Sequence, residues 1–385
     1  MIGAVCFAAL LAAQQEPTIE SLRRKPWYTW NQTELAFGLA HNDEVHPARR
    51  IPRGDRVRDL PAGPPIAGLA KGTPAGDSLE SFIIEQKVAG MIVLRDGKVR
   101  LERYALGYGR TGRWVSQSVA KSITSTLVGA AIRDGFIGSL DDPVTKYITG
   151  LRGSVYESVT VKQLLTMTSG VRWNEDYTDP NSDIARFYRE PVDSGFDATV
   201  SYMRKLSREV PPGTKWVYKT GETHLIGILV RAATKQPLTQ YLSAKIWAPY
   251  GMEQAASWGI DRSGQELAGC CLQASLRDFA RFGQLVIARG VIAGRSMVPE
   301  GWFEEATRRQ VTTDDPDESY GYQWWPGPKG TVNAYGIYGQ LIHLDPARRL
   351  VVAINSAWPE ATNPVRSAAR LRMLATIAAA LDQER

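Results

Sequence analysis

The stretch "RWVSQSVAKSITSTLVGAAIRDG", residues 113 to 135, sets Ser118 and Lys121 three positions apart at the start of an apolar pattern. Val119, Ile123 and Leu127 recur at four-residue spacing and Gly135 supplies a stop, so the segment predicts a helix with one buried stripe and a polar N-terminus. At i and i+3 the two side chains share a face. Free backbone N–H groups and the helix dipole favour negative charge developing there. A lysine partly buried beside that positive end is pushed toward its neutral form, in which it can take a proton from serine. The plain alternative is a serine cap beside a solvated lysine. An S-x-x-K arises about once by chance in a chain of this length, so its surroundings must decide.

Upstream, "AGMIVLRDGKVRLERYA" places two β-rich runs around Asp96-Gly97, predicting antiparallel strands over 89–105. Downstream, "TVKQLLTMTSG", "DATVSYMRKLSREV", "GETHLIGILVRAATKQP" and "LTQYLSAKIWAPYGM" are amphipathic and predict a mostly helical lobe over about 136–245. Within it "VRWNEDYTDPNSDIARFYREPVDSG" is long enough for a lid or binding loop. A helix in "LRDFARFGQLVIARG", two β-runs in "AYGIYGQLIHLDPARRLVVAINSA" and a terminal helix in "PVRSAARLRMLATIAAALDQ" complete the pattern. The expected class is α+β: an antiparallel sheet built from both ends of the chain, flanked by helices, with the helical lobe inserted. Residues 76–385 form that domain, and the Pro- and Arg-rich residues 14–75 an extended N-terminal arm.

The 385 residues are 43% hydrophobic, normal for a globular chain. Lys and Arg exceed Asp and Glu by 46 to 40, with much of the excess in "ARRIPRGDRVRD"; a solvated basic loop fits better than a nucleic-acid surface, which interleaves aromatics. The apolar run Ile2–Ala13 suits a secretory signal over residues 1–13, though no Lys or Arg precedes it; a buried N-terminal helix is the alternative. A periplasmic or secreted location is expected, with the cytoplasm as the other possibility. Cys270 and Cys271 are adjacent, and two buried thiols are expected because a bridge between neighbours is uncommon. No zinc-site spacing, G-x-S-x-G, Walker loop, H-E-x-x-H or G-x-G-x-x-G occurs. His41 and His46 fall in a loop, His224 and His343 in core patterns, so no metal and no cofactor is expected.

A second element weighs on Ser118. "VPPGTKWVYKTGETHL" ends a short β-like run at Tyr218 and opens a helix near Gly221. A phenol beside ammonium groups has its anion favoured and can shuttle a proton to a leaving group.

"SVAK", "TVKQLLTMTSGV", "PPGTKWVYKTGETHLIGILVRAAT", "IWAPYGM", "SLRDFARFGQLVIARG" and "YGIYGQLIHLDPARRLVVAINS" follow in that order over residues 80 to 375. This series resembles the serine hydrolases of the class C β-lactamase and penicillin-binding-protein superfamily, nearest to the 6-aminohexanoate-dimer (nylon-oligomer) hydrolases and related carboxylesterases. The resemblance implies Ser118 as acylated nucleophile, Lys121 as its partner and Tyr218 as the motif tyrosine, with Thr220 replacing an Asn or Ser and weakening a bond to the lysine. It implies an oxyanion hole from the N–H groups of Ser118 and Gln340, and an acyl pocket lined by "GIYG", including Tyr338 and Gly339. Tyr177 matches a lid tyrosine, and Trp173, Trp216, Trp324 and Trp325 are candidate pocket aromatics. Ile337 stands where peptidases and β-lactamases hold the substrate carboxylate with a cation. Cys270 and Cys271 replace glycines that follow an amine-binding asparagine.

The function expected is hydrolysis of a small linear amide or ester through an acyl-enzyme. Its alternatives are a carboxylesterase, a β-lactamase or D-Ala-D-Ala carboxypeptidase, and a non-hydrolytic acyl-binding sensor module. The expected partner is a small-molecule substrate, with no nucleic acid and no stable membrane insertion.

Overall fold

The computed structural model describes residues 16–69 and 78–384. The segment assigned to a signal, residues 1–13, lies outside them. The central sheet has six strands: β1 (Val88–Arg95), β2 (Lys98–Tyr104), β3 (Trp325–Pro326), β4 (Val332–Gly336), β5 (Gln340–Asp345) and β6 (Leu350–Ser356). They run antiparallel in the order β3-β4-β5-β6-β1-β2. The two ends of the chain therefore meet at the β6–β1 pair, as the pattern predicted. Asp96 and Gly97 turn the first hairpin with φ of 52° and 76°, the doubly left-handed geometry that matches strand twist.

Both faces of the sheet are covered, which is why β1 and β6 read as near-continuous apolar runs and the middle of β5 is interrupted only by His343. Ile92, Leu94, Ile342, Val351 and Ala353 face the larger core. Met91, Val93, Leu341, Val352 and Ile354 face the other way, onto the C-terminal helix through Met373, Leu374 and Ile377. Four helices matter for the site: α1 (Ala120–Arg133), α2 (Thr220–Thr234), α3 (Leu276–Ile287) and α4 (Pro364–Asp382). Helix α3 lies against β6, β1 and β5, and α1 packs on α2. A second antiparallel sheet aligns Ala48–Ile51, Ala256–Gly259, Leu272–Ala274 and Trp114–Val115 in that order.

Three expectations change. Helix α1 is buried along most of its length rather than along one stripe, because most of its polar residues find partners inside: Ser122 donates to the Gln323 carbonyl at 2.7 Å, Thr124 to that of Ala268 at 2.8 Å and Thr126 to that of Ser122 at 2.9 Å, leaving the Ser125 hydroxyl unpartnered. The inserted lobe is less helical than its periodicity suggested; "TVKQLLTMTSG" keeps only Val161–Leu165 and "DATVSYMRKLSREV" only Ala198–Met203. The N-terminal arm is not simply extended. It folds helices Ile19–Arg23 and Gln32–Ala40, the latter started by an Asn31–Glu34 capping box, and adds the Ala48–Ile51 strand. Arg49 of its basic stretch pairs with buried Glu266 at 2.5 Å.

Candidate active site

The Trp114–Val115 strand delivers the chain into a tight turn at Gln117, whose φ is 45°. A 3-10 turn, Gln117–Val119, then carries Ser118 into the mouth of α1. Ser118 makes no side-chain cap there, and Lys121 is 2% exposed. The arrangement of a serine cap with a solvated lysine is therefore not the one found.

The Lys121 ammonium reaches three oxygens: Ser118 Oγ at 3.1 Å, Thr220 Oγ1 at 3.0 Å and the Gly269 carbonyl at 2.7 Å. Thr220 thus makes the lysine contact that its departure from the motif was expected to weaken. The Gly269 backbone is held in turn by its N–H donating to His224 Nδ1 at 3.1 Å. Burial and the Lys121 charge lower the His224 pKa to about 3, so that imidazole is a neutral acceptor.

Glu175, a residue that sequence reasoning passed over, organises the far side. It accepts from the Thr220 hydroxyl and, at 3.0 Å, from the Thr220 N–H. It also accepts from the Trp173 indole and, at 2.7 Å, from the Tyr177 phenol. Because Thr220 spends its proton on Glu175, it can only accept from Lys121, and the Gly269 carbonyl has no proton to give. A neutral Lys121 has two N–H bonds and one lone pair. The two N–H bonds are taken by Thr220 and Gly269, which aims the lone pair at Ser118 Oγ.

Burial lowers the Lys121 pKa to about 8, the Glu175 charge opposing that shift. Burial, and then the Glu175 charge, raise the Tyr218 pKa far above the ordinary value, outweighing the opposite pull of the nearby Ser118 side chain. This reverses the expectation of a favoured phenolate: Tyr218 is a phenol here, and the base is the amine. The rate at low substrate should accordingly fall tenfold per pH unit below about 8 and level off above it. Glu175→Gln removes the charge that favours the ammonium, so its limb should move to lower pH; a limb that stays put, or moves up, would contradict this electrostatic role.

Two cavities meet at Ser118. One, of about 260 Å³, is lined by Tyr177, Thr220, Tyr338 and the Cys270–Cys271 pair, with Trp30 and His46 of the N-terminal arm. The other, of about 350 Å³, is lined by Tyr177, Trp216, Tyr218, Trp325, Tyr335 and Arg370 among others. Ile337 borders both. Cys270 and Cys271 form a disulfide rather than two thiols; Cys271 sits at φ 67° in the short segment leading to the Leu272–Ala274 strand, a local backbone state that adjacency alone does not reveal.

Of the other candidates, Trp173 lies behind Glu175 and lines neither cavity. Trp324 is a core residue stacked on Phe282 at 6.2 Å, whereas its neighbour Trp325 faces the second cavity. Gly339, at φ 90°, packs under Trp358, where a Cβ would lie 2.5 Å from the indole nitrogen. Gln340 also lines neither cavity; its side-chain amide donates to the carbonyls of Ile337, Tyr338 and Ser356, clamping the turn. Of the turn residues, Ile337 lines both cavities that Ser118 lines, and Tyr338 the first of them. The turn's approach depends on Gly336, where a Cβ would come within 2.7 Å of the Ser116 carbonyl.

A family profile described as Beta-lactamase matches residues 77–377. The chain is 31% identical over 365 residues to the 6-aminohexanoate-dimer hydrolase of Paenarthrobacter ureafaciens, covering 91% of this chain and 90% of that one. A Pseudomonas fluorescens β-lactamase is 23% identical over 46% of the chain and 48% of its own. Among solved structures, a Bacillus anthracis protein described provisionally as a 6-aminohexanoate-dimer hydrolase superposes with a TM-score of 0.82 at 23% identity, covering 94% and 97% of the two chains. A Bacillus halodurans penicillin-binding protein superposes at 0.60 and 16% identity, covering 77% and 99%.

Proposed function

The chain belongs to the beta-lactamase family of hydrolases, and on that premise we propose that it cleaves a small linear amide or ester through an acyl-enzyme on Ser118. The observation that carries this reading is that buried Lys121 meets three oxygens, of which Ser118 Oγ alone has a proton to give, Thr220 having spent its own on Glu175 and the Gly269 carbonyl having none.

Lys121 takes the Ser118 proton as Oγ bonds to the carbonyl carbon, and the C=O pair moves onto oxygen. The resulting oxyanion is assigned to the N–H groups of Ser118 and, in place of Gln340, of Ile337, which borders both cavities. Tyr218, kept protonated by burial, gives its proton to the departing amine or alkoxide, and the proton taken up by Lys121, 5.0 Å from the ring centre, makes good that loss, leaving the amine neutral and the phenol whole. Water, deprotonated by the neutral amine, then releases the acid. The 31% identity to an amide-dimer hydrolase over nearly its full length favours a linear substrate.

A carboxylesterase would use the same groups. A β-lactamase or D-Ala-D-Ala peptidase is less well supported, since Ile337 removes the strand cation that would meet a carboxylate, and an acyl-binding sensor would have no use for a lone pair so directed. A location outside the cytoplasm is favoured by the disulfide, which persists in oxidising compartments. Steady-state kinetics on p-nitrophenyl esters, linear amide dimers and nitrocefin separate these readings. We expect turnover of linear esters or amides with kcat/KM at least about a hundredfold above nitrocefin; nitrocefin as the best substrate would overturn the choice.

A further inference from the structure

We propose that Arg370 anchors a carboxylate carried on one arm of the substrate, while the other arm is apolar and uncharged; the inference rests on the acyl-enzyme reading. Arg370 lies on α4 and is 7% exposed. Other deeply buried guanidinium groups have acidic partners: Arg277 meets Glu102 at 2.6 Å and Glu253 at 3.0 Å, Arg281 meets Asp278 at 3.1 Å, and Arg100 meets Glu384 at 2.6 Å. Arg370 has no ion pair and no hydrogen bond among the described residues, and its Nε is fully buried without a partner. Glu318 borders the same cavity but makes no ion pair with it.

Arg370 is held between two rings, 4.7 Å from the Tyr335 centroid and 4.9 Å from that of Trp358. Ring faces stabilise the cation but accept nothing from the N–H groups in its plane. A buried charge with unmet donors is costly unless something completes it, and this one lines the cavity that Ser118 opens into. A planar fork of donors suits a carboxylate. The cation absent from the strand at Ile337 is thus present in the same cavity, supplied by the C-terminal helix. Among the described residues the opposite cavity has no Asp, Glu, Lys or Arg in its lining, and burial and then the Arg23 charge lower the pKa of its His46, disfavouring the imidazolium. The two arms of the substrate differ accordingly.

The test uses linear esters carrying a terminal carboxylate on the acyl side or on the alcohol side, each matched to its uncharged carboxamide. In one series the carboxylate should be cleaved with kcat/KM roughly ten- to a hundredfold above the carboxamide, mostly through KM. Arg370→Gln should bring that ratio to within about threefold of one, with Arg370→Lys between. A ratio near one in both series for the wild type, or a ratio that survives Arg370→Gln, overturns the proposal. Should Arg370→Gln fail to fold, competitive inhibition of the wild type decides: adipate binding at least about tenfold better than adipamide supports the anchor, and equal binding overturns it. Equal turnover of both ester forms removes Arg370 alone, whereas no turnover of any ester removes the acyl-enzyme reading beneath it.

Discussion

Ser118→Ala is expected to lower kcat by roughly 10⁵- to 10⁶-fold, the scale of losing the nucleophile in a serine hydrolase, with little change in stability. The size follows from there being one hydroxyl to which the Lys121 lone pair is directed. Ser118 contributes no cap to α1 and is only half-buried, so its loss deletes one contact to Lys121 while Thr220 and Gly269 remain. A change within about 0.5 kcal/mol is the ordinary result for such a site. Residual turnover above a few per cent would show that another group attacks the carbonyl.

Lys121→Arg should lose roughly 10²- to 10⁴-fold in kcat/KM, the usual contribution of a positioned base. The substitution keeps a positive charge beside Ser118 but installs a group that stays protonated throughout the working pH range. Lys121→Met should be impaired to the same degree while removing the charge. If the charge alone mattered, arginine would preserve most of the activity and methionine none; if the base matters, both fail alike. Arg retaining more than about a tenth of wild-type activity would contradict the role derived for the lone pair. Thermal unfolding of both variants separates chemistry from packing, since a bulkier guanidinium at a fully buried position can strain its neighbours.

What could be read from the sequence was whatever depends on local pattern. The Asp96-Gly97 turn, the apolar runs of β1, β5 and β6, and the succession of Ser118, Lys121 and Tyr218 all carry local signals. What escaped depends on contacts between distant segments. Glu175 looks like any carboxylate in an acidic loop until the fold sets it against Thr220, 45 positions on. The buried polar face of α1 is invisible to hydrophobic periodicity because Ser122 and Thr124 earn their burial from partners on other segments. Trp324 and Trp325 have the same composition signal, yet one stacks in the core and the other faces the cavity. Gln340 and Ile337 differ by three positions in a turn, and only the folded chain shows that Ile337 lines the cavities at Ser118 while Gln340 turns its amide onto the turn's carbonyls. Arg370 sits in a stretch whose pattern predicts only a terminal helix; its lack of an acidic partner appears only once every neighbouring side chain is placed.

Every residue role proposed above depends on Ser118 becoming acylated. Intact-mass measurement after incubation with a fluorophosphonate, on the wild type and on Ser118→Ala, tests it most directly. A single adduct is expected on the wild type, mapped to the peptide containing Ser118, and none on the variant. A wild type that stays unmodified, or a Ser118→Ala protein that still takes up the label, would contradict it.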